Sequence, residues 1–128
     1  MTFYRTMGWL RIVINAGALA LCLILSAPLT HAAEVTYALH IDRGHVLANM
    51  QLIRVTQGDV VTLQWTADKP SIVHLHGYDI EKRVAPGTVA EMIFTARATG
   101  RFQVHLHGSA AETHSHEDAL VAIEVYPR

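Results

Sequence analysis

The sequence predicts an all-β chain, a Greek-key β-sandwich that follows an N-terminal secretory leader. Three observations carry this. The opening residues run in the order charged, apolar, small. Beyond them, no stretch shows the apolar spacing of an amphipathic helix. Short runs of alternating apolar and polar residues recur instead, with turn residues between them.

The leader comes first. Arg5 and Arg11 give a positive start, and 12-IVINAGALALCLIL-25 is an apolar run of 14 residues. Ser26, Pro28 and 30-THAA-33 close it, with cleavage expected after Ala32 or Ala33. The division is a signal peptide over residues 1–33 and one domain over 34–128. A retained membrane anchor is the rival reading. Against it, the run falls short of the ~20 residues that span a bilayer, and Asn15 interrupts it. Cys22 follows Ala20 and Leu21, a poor setting for lipid attachment. The expected location is periplasmic or secreted, with no membrane association after cleavage.

The remaining 95 residues suffice for one small domain. They contain no cysteine, which excludes a disulfide framework, a thiolate ligand and a cysteine nucleophile. Without Arg5 and Arg11, 8 basic residues face 11 acidic ones, and no basic run appears, so nucleic acid is not an expected partner. Eight of the nine histidines lie in this part.

Each strand has its own signal. Val35, Tyr37, Leu39 and Ile41 alternate with Thr36, Ala38 and His40, and Gly44 follows in a turn. The segment 52-LIRVTQGDVVTLQW-65 reads as two strands parted by 57-QGD-59. Then come 72-IVHLH-76, 88-TVAEMIFTA-96, 101-RFQVHLH-107 and 119-ALVAIEV-125. Asp68 to Pro70, Pro86 with Gly87, and Thr99 with Gly100 supply breaks. About seven short strands at this spacing suit a Greek-key sandwich. The long polar piece 108-GSAAETHSHED-118 reads as a functional or mobile loop.

The chemistry concentrates in a repeat. His-Leu-His-Gly occurs at 74–77 and again at 105–108. Residues two apart in a strand share a face, about 6.6 Å apart along it. His74 and His76 therefore share a face, as do His105 and His107 with Gln103, while Phe102, Val104 and Leu106 form the core side. If the two strands are neighbours, four imidazoles meet on an outer or end face. One ion could take three or four rings, or two ions could share them. The plain alternative is a polar strand face with no metal.

The remaining candidates each keep two readings. His114 and His116 are extra ligands, beside Glu112, Glu117 or Asp118, or a solvated tail. His40 and His45 read as surface histidines, Met50 as a soft Cu(I) ligand or packing, and Met92 as core. Asp79 holds an imidazole N–H or starts a turn.

The segments 55-VTQGDVVTLQW-65, 72-IVHLHG-77, 86-PGTVAEMIFTA-96 (read as a hairpin) and 100-GRFQVHLHG-108 resemble a cupredoxin domain across most of residues 35–126. The stretch 74-HLHGYD-79 is similar to small periplasmic cupredoxin-like proteins. The paired motifs 74-HLH-76 and 105-HLH-107 resemble those with which multicopper oxidases hold a copper cluster. The blue-copper ligands do not carry over. Ser71 stands at the first histidine position, Leu106 at the cysteine, Ala111 at the later histidine and His116 at the axial position. The resemblance implies copper and argues against a blue electron carrier. It also implies that one domain supplies half of an oxidase-type cluster, hence a second copy or another partner.

An all-imidazole site suits copper, zinc, nickel and iron, and copper binds a given site most tightly. Copper is the expected metal, with zinc as competitor. Two functions follow. One is copper storage, buffering or delivery, with a donor or acceptor protein as partner. The other is a copper redox unit, active with oxygen or an electron-transfer partner and complete only in an oligomer. No Ser–His–Asp set or carboxylate pair suggests other catalysis, so an enzyme is not the expectation.

Overall fold

The computed structural model describes residues 31–107 and 119–128. The leader expected up to residue 33 lies almost wholly outside them, as does the 108–118 loop with His114 and His116.

The described residues form a two-sheet β-sandwich. The strands are β1 (Glu34–Ile41), β2 (Leu52–Thr56), β3 (Val60–Ala67), β4 (Ser71–Leu75), β5 (Ile80–Val84), β6 (Ala90–Thr95), β7 (Gly100–His107) and β8 (Val121–Tyr126). One sheet runs β1-β3-β6 and the other β2-β8-β7-β4-β5. β1 lies parallel to β3, and β2 parallel to β8, while the remaining pairs are antiparallel. A single 3-10 turn, Ala48–Met50, precedes β2. Among the described residues, no helix is long and apolar enough to cross a membrane.

The alternation in the sequence becomes the two sides of each sheet. β3 alternates half-buried and buried residue by residue, sinking Val61, Leu63, Trp65 and Ala67. Leu39, Ile41, Met92 and Phe94 join them from β1 and β6. The five-stranded sheet answers with Ile53, Val55, Val73, Leu75, Val84, Val104, Ile123 and Val125. The Trp65 indole Nε1 is buried without a hydrogen-bond partner among the described residues. Met92 is core, and Met50 packs against it, as the packing reading of each requires.

Three expectations need correcting. An eighth strand exists: β5, Ile80–Val84. Its sequence, IEKRV, carries charge on both faces, so no period-two signal marks it. It is an edge strand, where charges remain solvated. The Pro86–Gly87 turn does not close a hairpin, because it leads from β5 in one sheet to β6 in the other. And β4 ends at Leu75, which leaves His76 at the head of a turn.

Candidate metal centre

β4 and β7 are antiparallel neighbours, with His74 directly opposite His105 and Ile72 opposite His107. Val73 and Leu75 are fully buried, so the pleat turns His74 outward, and buried Val104 does the same for His105. His76 stays in line because its backbone N–H donates to the Gln103 carbonyl at 2.9 Å, one more rung of the ladder. Both paired motifs thus present their imidazoles on the outer face of the five-stranded sheet.

The rings are close. Centroids lie 4.3 Å apart for His74 and His76, 5.4 Å for His74 and His107, and 4.8 Å for His76 and His105. His74, His76 and His107 each offer a ring nitrogen within 4.8 Å of the others. His74 is half-buried, and His76 and His107 are exposed. Nitrogens sharing one ion at ~2.0–2.1 Å sit about 3.3–3.6 Å apart. The observed spread of up to 4.8 Å exceeds this spacing, so closing on one ion requires the rings to move inward. His105 is not one of the three converging rings, and its Nε2 lies 3.2 Å from Gln103 Oε1. Burial, then the nearby His76, His107 and His74, pushes its pKa below the ordinary imidazole range. A neutral ring is the form that ligates metal.

The turn after His76 is held by aromatic packing. Gly77 has φ of +88°, and a Cβ there would sit 2.7 Å from Phe102 Cδ1. The glycine of the first repeat is therefore needed twice, for the left-handed conformation and for the close approach. Tyr78 packs on Phe94 and Phe102 with centroids 4.8 and 4.9 Å away, and its hydroxyl accepts the Arg97 backbone N–H at 3.2 Å. Phe94 and Phe102 belong to different sheets, so this cluster fixes the His76 end of the sandwich to both.

Asp79 is a turn residue, with φ of +54°, and its carboxylate also lies 3.5 Å from His74 Nε2. One acidic neighbour escaped sequence reasoning. Glu81 on β5 is paired with His74 in register, on the same outward face. The missing signal was β5 itself, since without that strand nothing in the sequence sets Glu81 beside His74. The other candidates lie elsewhere. His40 Nδ1 meets Thr66 Oγ1 at 2.8 Å, and exposed His45 forms an isolated bridge with Asp42.

No family model matches the sequence, and no curated protein does either. Solved structures do match. Copper nitrite reductase from Nitrosomonas europaea superposes with TM-score 0.59 at 19% identity, over 74% of this chain and 42% of that one. The fold is cupredoxin-like. A multi-copper oxidase from Pseudomonas thermotolerans gives TM-score 0.57 at 22% identity, over 77% of this chain and 31% of the other. The periplasmic domain of cytochrome oxidase subunit II from Bradyrhizobium japonicum gives 0.57 at 17% identity, over 76% and 87%. This cupredoxin-like chain thus spans about two-fifths of the reductase and a third of the oxidase, but most of the subunit II domain.

Proposed function

We propose that this chain is an extracytoplasmic copper-binding protein that stores, buffers or hands on copper through His74, His76 and His107, with His105 and Asp79 beside them. The observation that carries the reading is the convergence of three imidazole nitrogens on an exposed sheet face. Two of the three rings are exposed, which suits ligand exchange with a donor or acceptor protein. Solved structures of like fold include a copper nitrite reductase and a multi-copper oxidase, which favours copper over zinc. The charged, apolar and small order of residues 1–33 supports a location outside the cytoplasm. Residues 34–128 lack the thiolate that a blue site needs, so the expected copper complex is pale.

The same open face favours a second reading, a redox unit completed by another copy. Both are tested by loading the protein with Cu(II), removing excess and measuring copper per chain, native mass and visible spectrum. One copper per monomeric chain, with weak absorption and loss of metal in a His74→Ala/His107→Ala double variant, is the expected result. More copper than chains in an oligomer, with oxidation of a phenol, would replace the first reading by the second. A folded protein that retains no metal would end both.

A further inference from the structure

Asp59 is the one charged residue buried among the described residues, at 5% exposure. Its carboxylate closes the turn between β2 and β3. Oδ2 accepts the Thr56 backbone N–H at 2.9 Å. Oδ1 accepts the Ala33 backbone N–H at 3.1 Å and an Arg128 guanidinium N–H at 2.7 Å. Ala33 is held a second time, because its carbonyl accepts the Val60 N–H at 2.8 Å. Parallel pairing of β1 with β3 starts one residue later, at Glu34 opposite Val60. Residues His31 and Ala32, just upstream, are exposed and belong to no strand.

The sequence leaves two cleavage points for the leader, after Ala32 or after Ala33. The two differ in what they do to Asp59. A chain beginning at Glu34 would strip the Val60 N–H of its acceptor and Asp59 of a donor. A chain beginning at Ala33 keeps both bonds and replaces an amide N–H by an ammonium facing a buried carboxylate. The ionised carboxylate already strengthens the Ala33 bond, and an ammonium donor adds the attraction of opposite charges to it. The small residues Thr30 and Ala32 also stand two apart, at the positions a leader peptidase reads, whereas the other cut would put His31 there.

We infer that the leader is removed at the Ala32–Ala33 bond and that the new Ala33 ammonium is seated on Asp59 as a structural cation. Water supplies the atoms: its oxygen goes to the Ala32 carboxylate on the released leader, and the Ala33 nitrogen leaves as an ammonium. The mature amino terminus and the Arg128 side chain then clamp one carboxylate, which ties the first strand to the last residue described. Export and folding are thereby linked, since the cation exists only after processing.

The test uses the full 128-residue chain, expressed in a bacterium with its own leader and recovered from outside the cytoplasm. Intact mass is measured first. The mass of residues 33–128 is the expected result, and a start at Glu34, any other start or an uncleaved chain overturns the assignment. The seating is then read on the same wild-type protein, as the acylation rate of its α-amine at neutral pH, folded against urea-unfolded. Protection of about tenfold or more in the folded state is expected, the effect of one unit of raised amine pKa. Equal rates would overturn the ion pair while leaving the cleavage point standing.

Discussion

His74, His76 and His107 should not be equivalent to His105, although the sequence repeats them in identical pairs. The first three offer converging nitrogens, and the fourth has its Nε2 turned to Gln103. Alanine at any of the three is expected to weaken copper binding by roughly a hundredfold, and His105→Ala by tenfold or less. Titration against a competing chelator would separate these. Asp79→Asn should cost about tenfold through loss of the carboxylate near His74 Nε2. Protons compete for the same nitrogens, so affinity should fall as pH drops into the acid range. The depressed His105 stays neutral further into that range than an unperturbed imidazole would, and adds less charge beside an incoming cation.

The β4–β5 turn is where an element depends most on one residue. Gly77→Ala demands a left-handed alanine and pushes a methyl into the Phe102 ring. The expected loss is about 1–3 kcal/mol. For a domain of this size that lowers the thermal midpoint by roughly 4–8 °C per kcal/mol. Because His76 heads the same turn, copper affinity should fall along with stability, and calorimetry with and without the metal checks both. Edge strand β5 sits beside the histidines and presents Glu81 opposite His74. Glu81→Lys should set a like charge beside the bound ion and weaken copper binding while leaving the apo midpoint within a few degrees.

Acid stability of the whole sandwich should run through Asp59. Its backbone N–H donors from Thr56 and Ala33 and the Arg128 guanidinium favour the ionised form and hold its pKa below the usual aspartate value, against the opposing effect of burial. A carboxylate with a depressed folded pKa contributes stability that is full above the unfolded value near 3.8 and is lost as pH falls through the folded value. Asp59→Asn is therefore expected to destabilise the protein by about 1–3 kcal/mol at pH 7. The difference from wild type should shrink as pH falls through the depressed folded value, as urea unfolding at pH 7 and at successively more acid pH would show.

Seven of the eight strands, the two-sheet class, the core positions and the outward facing of the paired histidines were legible in the sequence. Period-two alternation is a local property, and a strand such as β3 buries every second residue wherever it is placed. The short motif His-Leu-His-Gly carried its own geometry in the same way. Tertiary structure decided what depends on which strands meet. The β4–β7 register sets His74 against His105 and brings His107 to the first pair. The ladder bond to Gln103 keeps His76 in line past the end of its strand. β5 was invisible because an edge strand keeps its charges in water and so need not alternate. The roles of Gly77 and Asp59 were hidden for a related reason. A ring packed on a glycine, and a carboxylate reached by residues 26 and 69 positions away, are meetings of distant segments, and local pattern says nothing of them until the sheets have closed.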